Sequence, residues 1–129
     1  MKPFLLLMIS LLFTGCILDN QNELKIKNYA EANVIFIFRA KEHIVAPGRT
    51  ITLSDVPNGS YPYSIIYELP SGATTASFSG DVTGTAAFSY SNTKCLIVYA
   101  SNTENNIYNL SATKTTTHST GNTSLISPR

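Results

Sequence analysis

The sequence predicts an all-β protein: a single antiparallel β-sandwich of about seven to nine strands that follows a cleaved signal peptide. Three observations predict it. From Glu23 onward apolar residues recur at a spacing of two rather than three and four. Valine, isoleucine, threonine, tyrosine and phenylalanine dominate the apolar runs, as suits a pleated surface. Short clusters of Pro, Gly and Asn fall between those runs, where the chain must turn. No stretch after the leader carries an amphipathic helical pattern.

The chain begins with one cation, Lys2, and an apolar run from Phe4 to Phe13 broken only by Ser10. A spanning helix needs about 20 apolar residues, and the polar segment Asp19-Asn20-Gln21-Asn22-Glu23 arrives too soon for one. The segment therefore reads as a secretory leader, set apart from the folded chain. Its end, Phe13-Thr14-Gly15-Cys16, resembles the lipobox of bacterial lipoprotein signal peptides, with Phe13 standing where leucine is usual. The resemblance implies cleavage before Cys16, diacylation of its sulfur and acylation of the new amino terminus. Two or three acyl chains anchor a protein stably, where one does not. The other reading is an ordinary signal peptide cut nearby, with Cys16 a plain thiol. Ile17 and Leu18, with no Asp directly after the cysteine, resemble lipoproteins sent on to an outer membrane where the source has one. The expected organisation is a leader over 1–15, a lipidated tether over 16–22, a sandwich over 23–113 and a flexible polar tail over 114–129.

Within the sandwich, Leu24 and Ile26 alternate with Lys25 and Lys27 as a half-buried first strand. Asn33 to Arg39 is apolar on both faces and suggests a central strand. His43-Ile44-Val45 follows, and Pro47-Gly48 turns the chain. Arg49 to Ser54 alternates again with Ile51 and Leu53 inward, and Pro57-Asn58-Gly59 is a reverse turn. Ser60 to Leu69 forms a long strand with Tyr61, Tyr63, Ile65, Tyr67 and Leu69 on one face, and Pro62 near its start suits an edge or bulge. Ala76 to Val82 and Thr85 to Tyr90 are weaker strands, Lys94 to Ala100 is a strong one, and Asn105 to Thr113 closes the series. Ile35, Ile37, Ile51, Leu53 and Ile97 are the expected inward partners of the tyrosines. Lys114 to Arg129 is too polar to bury much surface, and a final strand over Ser124-Leu125-Ile126 is the less favoured alternative.

Val56-Pro57-Asn58-Gly59-Ser60-Tyr61 resembles a segment of bacterial prealbumin-like and immunoglobulin-like sandwich modules, in which apolar-Pro-x-Gly-x-Tyr joins two strands. The resemblance implies that Tyr61 is buried, and it speaks to architecture rather than activity.

Composition narrows the function. The chain carries nine basic and eight acidic residues. With Lys2 removed the two balance, and the basic residues are scattered, so nucleic acid is not an expected partner. Cys95 lies in an apolar run and reads as a small buried hydrophobe without a disulfide partner. His43 and His118 are far apart in sequence, and no cysteine or carboxylate cluster stands at metal-ligand spacing, so no metal or other cofactor is expected. Asp55, Glu68 and Asp81 show no pattern that pairs them as catalytic carboxylates, and Gly80-Asp81-Val82-Thr83-Gly84 is not a phosphate loop. The expectation is a noncatalytic protein of the bacterial cell envelope, joined to the membrane through lipid on Cys16, with a binding or structural role. The alternative is a small inhibitor or ligand-binding protein acting on an envelope enzyme or glycan. Its candidate binding face is the row Tyr61, Tyr63 and Tyr67, whose rings would stack sugars or anchor a protein if they faced solvent. Burial of the same row in the core is the competing reading, and a solvent-facing aromatic cluster would favour the alternative.

Overall fold

The computed structural model describes residues 21–90 and 92–118, and the leader, Cys16 and the segment Ser124-Leu125-Ile126 lie outside it. Among the described residues are nine strands and no helix. They are β1 (Glu23–Tyr29), β2 (Val34–Phe38), β3 (Lys41–Val45), β4 (Thr50–Ser54), β5 (Gly59–Tyr67), β6 (Thr75–Gly80), β7 (Gly84–Phe88), β8 (Thr93–Glu104) and β9 (Ile107–His118). They form a five-stranded sheet in the order β4-β1-β8-β9-β6 and a four-stranded sheet in the order β3-β2-β5-β7. The chain is thus an all-β sandwich.

The sandwich is not purely antiparallel. β1 runs parallel to β8, with Leu24 beside Cys95 and Ile26 beside Ile97, and β6 runs parallel to β9, with Phe78 beside Leu110. Alternation of apolar residues fixes which side chains point inward, but it carries nothing about the direction of the neighbouring strand. Parallel neighbours need a long crossover, and here most of the domain intervenes between β1 and β8.

The core lies between the sheets. Leu24, Ile26, Ile97 and Leu110 from one layer face Val34, Phe36 and Phe88 from the other, all fully buried or nearly so. Aromatic rings fill the middle. Phe36 stacks on Tyr63 at 5.2 Å between centroids and meets Tyr99 edge-on at 6.5 Å. In β2 the buried positions are Val34, Phe36 and Phe38. Ile35 and Ile37, expected to point inward, take the outer face, because in a strand apolar on both sides the bulkier aromatic set claims the interior.

Two further boundaries differ from expectation. Asn22, assigned to the tether, is fully buried and is the first locked residue of the domain. Its amide donates to Val56 O at 2.8 Å and Asn58 Oδ1 at 2.9 Å, and its Oδ1 accepts from Thr93 N at 2.7 Å. At the other terminus β9 continues through Lys114–His118, which pair with Ile97 back to Thr93 of β8. Little apolar burial is available there, but a run of β-branched threonines suits a strand and the β8 backbone offers it partners.

Polar interior groups close the seams. Asn28, inward in the alternation of Leu24 and Ile26, donates to Ala32 O at 3.0 Å and Val45 O at 2.7 Å and accepts from Ala30 N. The loop after β6 is held by the core tyrosines: Tyr63 donates its hydroxyl to Asp81 O and Tyr99 donates to Val82 O, each at 2.8 Å. Gly80 opens that loop at φ +73°, pressed so closely on Ala112 that a Cβ would collide with its carbonyl oxygen.

Candidate functional site

The three tyrosines of β5 do not share one environment. Tyr63 is 3% exposed, and its hydroxyl is bound to the loop. Tyr61 is partly buried against the core, 5.5 Å from Phe38 and 6.1 Å from Phe88, and donates its hydroxyl to Pro57 O at 2.8 Å. Tyr67 is 39% exposed and meets the half-exposed ring of Phe78 edge-on at 5.0 Å. A continuous tyrosine row on solvent therefore does not form. Strand alternation aims all three rings the same way, but β5 outruns the cover at its end, where only the edge strand β6 lies against Tyr67.

The titratable groups inside the sandwich are held neutral. Burial, then the nearby Asp81 and Cys95, pushes the Tyr63 phenol up to about 12. Burial likewise raises Tyr99 and the Cys95 thiol. Cys95 is 2% exposed, makes no disulfide among the described residues and accepts a weak hydrogen bond from Thr116 Oγ1 at 3.8 Å. A raised thiol sealed from solvent is a poor nucleophile. His43 is lowered by partial burial and by Lys41. His118 packs on Tyr90 at 4.6 Å and pairs its Nδ1 with Thr93 Oγ1 at 3.2 Å. Among the described residues no three His, Cys, Asp or Glu side chains lie close enough together to hold a metal.

What the structure offers instead is surface. Eight large apolar side chains among the described residues are well exposed, and seven lie in the half of the sandwich remote from Asn22: Tyr29, Ile44, Ile66, Tyr67, Leu69, Phe78 and Ile107. Only Tyr90 stands near Asn22. The outer face of the four-stranded sheet carries a row in which Ile44, Ile35 and Ile66 sit directly opposite one another across β3, β2 and β5. Ile44 is 66% and Ile66 44% exposed. The sequence signal for this row was present in the apolar character of both faces of β2, but a second covering layer is the usual cause of that pattern, and among the described residues none covers it.

A second feature carried no sequence signal. The β2–β3 hairpin turns on Arg39 and Ala40, both left-handed at φ 54° and 64°. Such two-residue turns prefer Asn-Gly. The Arg39 guanidinium lies 5.2 Å from the Tyr61 ring centre, and that cation–π contact helps hold the strained turn.

No protein-family model matches this chain, and no curated protein matches it either.

Proposed function

We propose that the protein is a lipid-anchored, noncatalytic module of the bacterial cell envelope, tethered through Cys16 and acting by binding or by a structural role. The observation that carries the reading is the distance between Cys16 and the first locked residue. Five residues of chain lie between Cys16 and Asn22, and the span from one to the other is at most about 22 Å even fully extended. β8, with 12 residues, is about 40 Å long. A lipid on Cys16 therefore holds the Asn22 end near the headgroups and leaves the half bearing the exposed apolar side chains free to meet an envelope partner.

The test is expression of the full chain in a bacterium. The wild-type protein is expected in the membrane fraction and in a detergent phase, whereas Cys16→Ser is expected to be released or to accumulate unprocessed. Wild-type protein found in the soluble fraction would overturn the reading.

One observation favours the second reading, a protein that binds a ligand or glycan: the half-exposed Tyr67–Phe78 pair, with Leu69 exposed nearby. Paired rings at a sheet margin can stack on the apolar face of a sugar. Phe78→Ala is expected to abolish retention on an envelope polysaccharide under that reading and to leave it unchanged under the first.

A further inference from the structure

We propose that the two outer faces of the sandwich are complementary, and that a second copy of this chain docks its four-stranded face on the five-stranded face of the first. The inference goes beyond the tether and does not depend on lipidation.

The four-stranded face presents the Ile44–Ile35–Ile66 row, and in the neighbouring row Glu42 and Ser64 flank Ile37. Glu68, exposed, lies two residues beyond Ile66 in the same alternation. No strand position on this face carries Lys or Arg. The five-stranded face has the opposite character. Leu96 and Val98, half-buried in β8, form an aliphatic stripe between Lys25 and Lys27 of β1 and the exposed Thr115 and Thr113 of β9. The one ion pair found among the described residues joins Lys94 to Glu23 at 3.9 Å. Lys25 and Lys27 on one face, and Glu42 and Glu68 on the other, thus have no ion-pair partner among the described residues.

Beside the aliphatic side chains the unpaired charge is therefore acidic on one face and basic on the other, with Arg39 and Glu104 of the opposite sign at the respective margins. Docking like on like would bring carboxylates against carboxylates, or lysines against lysines, beside the aliphatic rows, and like charges brought together select against a partner. Docking unlike faces joins the isoleucine row to the Leu96–Val98 stripe and the carboxylates to the lysines. Packed sheets keep their strands within about 30° of each other, so the Asn22 ends of both copies can point the same way, as anchors in one membrane require. Because the contact is heterologous, each copy keeps one free face of each kind and the assembly extends as a chain rather than closing as a dimer.

Cross-linking of the full chain in bacterial cells tests this, with Ile44→Cys on one face and Thr50→Cys, opposite Lys27 on the other, and a short bis-maleimide as probe. The doubly substituted chain is expected to give a ladder of dimer, trimer and higher species. Each single variant is expected to remain monomeric, and the two co-expressed to stop at dimer. Absence of a ladder from the doubly substituted chain overturns the proposal, as does a dimer from Ile44→Cys alone, which would mean like faces docking. Adding Glu42→Lys with Glu68→Lys is expected to reduce the ladder at least about tenfold, and adding Lys25→Glu with Lys27→Glu to that chain is expected to restore it. Failure of the exchange to restore it also counts against the proposal. These positions lie on the outer faces, and slow native but fast denatured labelling of Cys95 verifies that each variant is folded.

Discussion

The two ends of the sandwich solve different problems with different chemistry. At the end that receives the chain, Asn22 gathers the β4–β5 loop and the start of β8 through its side chain, while its own carbonyl accepts from Val56 N at 3.3 Å. Lys94 Nζ reaches Gln21 O at 3.1 Å, and Thr93 Oγ1 binds Tyr90 O at 3.2 Å. At the remote end, large side chains stand open to water: Tyr29 at 62%, Phe78 at 49% and Leu69 at 41% exposure. Even the turns differ. Asn105-Asn106 at the remote end has φ of 54° and 66°, nearly the values of Arg39-Ala40 at the Asn22 end. Asparagine tolerates that conformation readily, whereas arginine and alanine adopt it at a cost. The difference teaches that order is concentrated where the tether would pull, while apolar surface is left where a partner can approach.

The largest effect that would sharpen this comparison lies in β5, between two tyrosines four residues apart. Tyr63→Ala empties a site in the aromatic core and frees Asp81 O, and it is expected to cost about 3–5 kcal/mol. Tyr67→Ala, at the open end, is expected to cost less than about 1.5 kcal/mol. Chemical denaturation of the two variants measures the contrast, and equal losses would erase the distinction between the closed core and the open end.

Next in size is the polar lock. Asn22→Ala removes the buried side-chain hydrogen bonds to Val56 O and from Thr93 N and is expected to destabilise the fold by about 2–3 kcal/mol. An unchanged denaturation midpoint would mean that the domain begins later in the chain.

How much of this could be read from the sequence depended on whether a signal is local. All nine strands were legible, because alternation and punctuation are properties of neighbouring residues. Inward positions such as Leu24, Ile26 and Ile97 followed for the same reason. The direction of β8 against β1 was not legible, since nothing in either strand encodes its distant neighbour. Asn22 and Asn28 share the inward phase of Leu24 and Ile26, yet an asparagine reads as turn or surface until the carbonyls that receive it are known. For β9, polarity argued against order, while the backbone of β8 supplied the partners that composition could not show. In the candidate site, the likeness of the Val56–Tyr61 segment implied a buried Tyr61, and Tyr61 is partly buried. The isoleucine row, by contrast, required the register of three strands.

A smaller effect concerns pH. Tyr63 is raised to about 12 in the fold and returns near 10 when unfolded, so the folded state retains a proton that the unfolded state loses. This contribution is complete below pH 10 and disappears as pH rises from 10 toward 12. Ultraviolet titration is expected to show a delayed fraction, from Tyr63 and Tyr99, ionising above the ordinary phenol range. Loss of the delayed fraction in Tyr63→Phe would assign it.

The smallest expected effect is a gain. Replacing Arg39-Ala40 by Asn-Gly relieves a strained turn and is expected to stabilise by about 0.5–1 kcal/mol, reduced by loss of the contact with Tyr61. The midpoint of thermal unfolding measures it.

The central claim is that the Asn22 end faces the membrane and the apolar half faces away. The most direct measurement places a fluorophore at Asp55→Cys, beside Asn22, or at Glu104→Cys, at the remote end of β8, in the processed full-length protein on vesicles containing a headgroup-linked quencher. The account predicts strong quenching at position 55 and little at position 104. Equal quenching at the two positions, or stronger quenching at 104, would contradict it.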